Sequence, residues 1–99
     1  MSEPLLGAHM SIAGGVFNAF LHGKSAGCNT IQIFVKSNNQ WRAKPLSDEQ
    51  IRLFCAGRAQ SSIGPVTAHA SYLLNLAAPN EAIRKMSIDA MIDELTRCE

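Results

Sequence analysis

The stretch "TIQIFV", residues 30–35, alternates in side-chain character and is rich in β-branched and aromatic residues, which predicts a strand over Thr30 to Val35. What lies on either side decides how that strand is used. Upstream, "GGVFNAFLHGKSAG" sets Val16, Ala19, Phe20 and Gly23 at helical spacing, with Gly27 as the stop. Downstream, "SDEQIRLFCAGRAQ" begins with Ser47 and Gln50 at capping-box spacing and continues with Ile51, Phe54, Cys55 and Ala59 as the expected buried face. A strand held between two helices pairs in parallel with its neighbours, because a parallel neighbour is reached only by a crossover.

The alternation extends both ways. "PLLGAHMS" predicts an earlier strand, Leu5 to His9, and Gly14 and Gly15 are expected to permit a tight turn into the first helix. "GPVTAHAS" predicts a third strand, Val66 to His69. A last helix follows, N-capped by Asn80 after Pro79, with Ile88, Met91, Ile92 and Leu95 on one stripe and Asp89, Asp93 and Arg97 off it. The order β-α-β-α-β-α begins either a doubly wound sheet or a (β/α)8 barrel. Three strands make an unfinished sheet, so residues 1–99 are expected to be one partial α/β domain of something larger.

Composition bounds the function. With 99 residues, 46% of them hydrophobic, and nine Lys and Arg against eight Asp and Glu, the chain has no diffuse basic field, so any polyanion contact must be local. Cys28, Cys55 and Cys98 lack a C-x-x-C pairing and are expected to be reduced core thiols, which points to the cytoplasm. No apolar run nears the roughly 18 residues of a membrane span, and "MSEPLLGAHM" has no basic leader region.

In either architecture the working residues stand on the loops that follow the strands. His9, "KSNNQW" and "HASYLLN" fall there. His69 is open to two readings, a zinc ligand or a structural histidine bonded to backbone. His22 is expected to be exposed on its helix. Lys36, Arg42 and Lys44 around Trp41 suit phosphate contact and stacking, or a tryptophan packed beneath a polar loop. Tyr72, Leu73 and Leu74 either seal a rim or wedge into a base stack. Neither a phosphate-binding glycine loop nor a Ser/His/Asp set can be assembled.

Taken together, "GAHMSIAGG", "FVKSNNQWRAKPL" and "HASYLLNLAAP" resemble the opening third of the endonuclease IV (deoxyribonuclease IV) family of apurinic/apyrimidinic endonucleases, and "IDELTRCE" resembles the segment before that family's fourth strand. The resemblance implies a (β/α)8 TIM barrel, of which these are the first three βα units. It also implies a cluster of three zinc ions and hydrolysis of the phosphodiester 5′ to an abasic site in double-stranded DNA. His69 would be one zinc ligand; Tyr72 and Leu73 would enter the duplex at the lesion; Asn39, Gln40 and Trp41 would lie against DNA. His9 and Lys36 are carried as supporting positions. Where family members often have an arginine before "QW", this sequence has Asn39, a shorter and uncharged side chain. The family's other zinc ligands fall on later strands, so these 99 residues alone are expected to be inactive and the full-length protein a monomer. Two other readings compete: a metal-dependent sugar enzyme of the xylose isomerase-like group, and a non-catalytic DNA-binding module.

Overall fold

The computed structural model describes residues 3–99; Met1 and Ser2, the first two residues of the stretch searched for a leader, lie outside the described residues. Three βα units run in the expected order: β1 (Gly7–His9), α1 (Asn18–Ser25), β2 (Thr30–Phe34), α2 (Asp48–Ser61), β3 (Val66–His69) and α3 (Glu81–Cys98). The strands are parallel and ordered β1-β2-β3, with Gly7, Ala8 and His9 of β1 opposite Thr30, Ile31 and Gln32 of β2. Among the described residues no helix is long and apolar enough to cross a membrane.

The chain divides into two compact units, one built from the chain up to Ile33 with Leu46–Ala68, the other from Phe34–Pro45 with His69–Glu99. The first has an apolar core of Ala19, Phe20, Ile31, Ile33 and Ile63, each at most 3% exposed. Burying a Phe or Ile side chain stabilises by about 1.5–3 kcal/mol, so these residues carry much of that unit's stability. Gly23 lets α1 approach the sheet, since a Cβ there would stand 2.7 Å from Ile31 Cγ2. The expected turn glycines do their work through backbone freedom: Gly14 and Gly15 have φ of +81° and +141°, values that L-residues rarely adopt.

β1 is shorter than expected. Leu5 and Leu6 are exposed and outside the strand, because the side chain of Asn29 takes the ladder's place: Oδ1 accepts from Leu6 N at 2.6 Å and Nδ2 donates to the Pro4 carbonyl at 3.0 Å. β2 ends one residue early, at Phe34, whereas β3 has the expected bounds. The capping box of α2 is present in both directions, with Gln50 N donating to Ser47 Oγ and Ser47 N donating to Gln50 Oε1, each at 3.1 Å.

The expected buried face of α2 needs correction. Phe54 packs on the core as expected, but Ile51, Cys55 and Ala59 are exposed, and Leu53, Ala56 and Gly57 are half-buried there. Phe54 meets Phe20 at 4.8 Å between ring centroids, and Gly57 clears the same ring, rotating the helix away from the stripe its apolar spacing suggested. The cysteines are also not uniformly core thiols. Cys28 is half-buried against the core, while Cys55 and Cys98 are exposed.

The second unit has a different interior. Lys36, Ser71, Ser87 and Glu94 are buried there beside Val35, Ala78 and Ala90. Buried polar groups are costly unless paired, and among the described residues every buried side-chain nitrogen and oxygen has a partner. The apolar stripe of α3 is present but does not line this interior: Ile88, Ile92 and Leu95 are exposed and Met91 is half-buried, whereas Ser87, Ala90 and Glu94 face inward. The polar residues of the inward face are hydrogen-bonded. Ser87 Oγ, for example, accepts from Asn75 N at 2.9 Å while donating to the Ile83 carbonyl at 2.8 Å.

Candidate functional site

Two loops of the second unit carry most of the sequence's candidate residues: residues 35–45 after β2, and 70–80 after β3. Both are tied to α3, and the ties begin at Lys36. Its side chain is 1% exposed, and the ammonium donates to Asp93 Oδ2 at 2.9 Å and to the Trp41 carbonyl at 3.1 Å. Arg97, one turn beyond Asp93, donates from Nε to the same carboxylate oxygen at 3.0 Å and from Nη2 to the carbonyls of Ala43 and Lys44 at 3.0 and 2.6 Å. A carboxylate between two cations thus pins residues 41–44 to the helix. Partial burial pushes the Asp93 carboxyl up, but hydrogen bonds from Lys36 and Arg97, with their charges, outweigh it and hold the group below the usual carboxylate range.

This corrects the reading of Lys36 as a phosphate contact: its charge is already committed inside the unit. Arg42 and Lys44 are exposed and keep their charges outward. Trp41 is half-buried, and Asn39 and Gln40 are exposed, Asn39 Oδ1 accepting from Ser37 Oγ at 2.5 Å.

The second loop is held at Ser71. Its backbone N–H donates to Glu94 Oε1 at 3.1 Å, its hydroxyl donates to the Asn38 carbonyl at 2.8 Å, and the same hydroxyl accepts from Leu73 N at 3.3 Å. Ser71 therefore joins three segments: the 35–45 loop, its own loop and α3. Burial and the nearby Glu94 carboxylate push the Cys98 thiol up, away from its reactive form.

His69 and Tyr72 flank that joint. The His69 ring stands 5.1 Å from Phe34 and 5.7 Å from Tyr72, and Tyr72 lies 5.3 Å from Phe34, all edge-to-face. Tyr72 is nonetheless 72% exposed, while Leu73 is half-buried. His69 Nδ1 lies 2.6 Å from the Ala70 carbonyl. A carbonyl only accepts, so Nδ1 carries the proton and in the neutral ring Nε2 holds the lone pair. That bond belongs to both readings of His69, a metal ligand whose Nδ1 is fixed and a structural histidine bonded to backbone. Among the described residues no three His, Cys, Asp or Glu side chains gather where one ion would meet them all.

His9 belongs to the other unit. It is exposed at the end of β1, where Nδ1 and Gln32 Nε2 lie 3.1 Å apart, the amide donating to the ring. His22 is exposed on α1. Sequence reasoning missed Ser71, Asp93, Glu94 and Arg97 as parts of this site. The i, i+4 spacing of Asp93 and Arg97 was the only local hint, since their partners lie more than fifty positions away in sequence.

Residues 20–99 match the family model described as a xylose isomerase-like TIM barrel. Among curated relatives, a protein named probable endonuclease 4 from Chloroflexus aggregans is 50% identical over 95 residues, covering 96% of this chain and 33% of that protein. A protein of the same name from Trichlorobacter lovleyi is 47% identical over 93 residues, covering 94% of this chain and again 33% of the relative. The crystal structure of endonuclease IV from Thermus thermophilus superposes with a TM-score of 0.88 at 38% identity, over 96% of this chain and 36% of that one. The chain thus spans about a third of the length of the relatives it matches.

Proposed function

Since the chain belongs to the xylose isomerase-like TIM barrel family, with probable endonuclease 4 proteins among its relatives, we propose that it is the N-terminal part of a zinc-dependent DNA-repair endonuclease that hydrolyses the phosphodiester 5′ to abasic sites. The observation that carries this reading is local. On one short loop, His69, its Nδ1 proton held by the Ala70 carbonyl, stands edge-to-face with Tyr72, whose ring is largely exposed. An imidazole held in this way beside a protruding aromatic suits a substrate that must be gripped by its bases while its backbone is cut. A small sugar needs no such projection.

In this reading His69 presents Nε2 as one zinc ligand. Zinc, when bound, supplies an activated hydroxide and stabilises charge on the phosphate oxygens. Tyr72 and Leu73 enter the duplex at the lesion, and Asn39, Gln40 and Trp41 lie against the DNA. Hydrolysis leaves a 3′-hydroxyl and a 5′-deoxyribose phosphate. The relatives' remaining two-thirds would bring the other ligands, so residues 1–99 contribute binding and one ligand rather than a complete centre.

The test is His69→Ala in a protein of the relatives' full length that carries these residues. Lower zinc content by metal analysis, together with loss of incision at a tetrahydrofuran abasic analogue, is the expected result. Unchanged zinc content and unchanged incision would remove His69 from the site.

A further inference from the structure

Ser71 lies between His69 and Tyr72 in sequence, yet none of its polar atoms serves those neighbours. Its N–H is given to Glu94, its hydroxyl proton to Asn38, and its hydroxyl lone pair to Leu73 N. Ser71 and Glu94 are 4% and 5% exposed, so these bonds form away from competing water, where a missing partner is expensive. Glu94 is the next residue after Asp93, which with Lys36 and Arg97 holds the far end of the 35–45 loop. One helical turn of α3 therefore fixes both loops, and Ser71 bonds them to each other.

We propose that Ser71 and Glu94 are positioning residues that set the Tyr72 loop against the Asn39–Trp41 loop, so that both meet the same stretch of damaged DNA. The inference rests on the DNA reading above and adds to it a pair of side chains that need never touch the substrate. A wedge is useful only if the loop that grips the flanking strand stands at a fixed offset from it. Two exposed loops joined by backbone alone would sample many offsets, and each would be ordered at a cost on binding. The Ser71–Asn38 and Ser71–Glu94 bonds remove that freedom beforehand.

The sequence provides its own reporter, because Trp41 is the single tryptophan and stands three residues after Asn38. The experiment measures Trp41 emission and the affinity of the chain for two fluorescein-labelled duplexes, one undamaged and one with a tetrahydrofuran abasic analogue. Variants are Ser71→Ala, Glu94→Ala and Glu94→Gln, with far-ultraviolet circular dichroism confirming the fold of each. Ser71→Ala is the milder change, since it keeps the backbone bond to Glu94.

Ser71→Ala and Glu94→Ala should shift Trp41 emission and lower affinity for the abasic duplex roughly tenfold, the size of one buried hydrogen bond, with little change for the undamaged duplex. Glu94→Gln, which keeps an acceptor for the Ser71 N–H, should restore both. Selective weakening with rescue supports positioning. Equal weakening on both duplexes, or no recovery with Gln, overturns it. If the unaltered chain does not distinguish the two duplexes, the DNA reading fails, and Trp41 emission alone then decides whether Ser71 couples the loops: a shift reversed by Gln supports the coupling and constant emission overturns it.

Discussion

The Lys36 ammonium lies 2.9 Å from Asp93 Oδ2 across 57 positions of sequence, with the lysine side chain 1% exposed and the aspartate 43% exposed. The two partners therefore depend unequally on the pair. Without Asp93, a buried cation keeps only the Trp41 carbonyl; without Lys36, the aspartate still has water and Arg97. Asp93→Ala should cost about 2–3 kcal/mol of stability and Lys36→Met only about 1 kcal/mol, since methionine fills the same space without a charge. Urea unfolding of both variants checks this, and a larger loss for Lys36→Met would contradict it.

The same pair sets an acid limb. Asp93 titrates below its ordinary value of 3.8 in the folded chain, so the unfolded chain binds more protons as pH falls. Its contribution is fully present above that value and is lost as pH drops through the lower folded value. Asp93→Asn should accordingly flatten the fall of the urea midpoint below about pH 3.9. Parallel profiles for the two proteins would show that Asp93 carries none of the limb.

Tyr72 should separate stability from binding. Its ring is 72% exposed, so Tyr72→Ala should change stability by no more than about 0.5–1 kcal/mol, the edge contacts with Phe34 and His69 being its main loss. Affinity for an abasic duplex should fall by about 1–3 kcal/mol, the worth of one stacked base. Anisotropy titrations beside thermal melts would show both, and unaltered affinity would take Tyr72 out of the interface.

Asn39 is exposed and bonded only locally, to Ser37, so an arginine there can reach outward without breaking the loop's ties to α3. Asn39→Arg should tighten abasic-duplex binding and steepen its dependence on log salt by about one unit for the added phosphate contact. Unchanged or weaker affinity across a salt series would sink this account of the departure at position 39.

What the sequence disclosed was local. The Ser47–Gln50 box, the Asn80 cap, the Gly14–Gly15 turn and the bounds of β3 each depend on residues within a few positions of one another, and each is as expected. The apolar periodicity of α2 and α3 was legible too, but periodicity does not say which neighbour covers a stripe. In α3 Ser87 and Glu94 are hydrogen-bonded on the inward face, while Ile88, Ile92 and Leu95 lie on the outward one. The partner of Lys36 was out of view for a related reason: a lysine in a polar loop looks exposed until the carboxylate 57 positions later is brought to it. His69 and Tyr72 could be picked out because both sit at the end of one strand, whereas Ser71 and Glu94 have no pattern of their own.

The most direct test is incision of a duplex with one abasic site by a protein of the relatives' full length carrying these residues, with zinc and with a strong chelator, beside the 99-residue chain alone. The account predicts a cut 5′ to the lesion by the long protein only, abolished by chelation. A long protein that is folded and zinc-loaded yet never incises would contradict it and favour the sugar-enzyme reading of the same barrel.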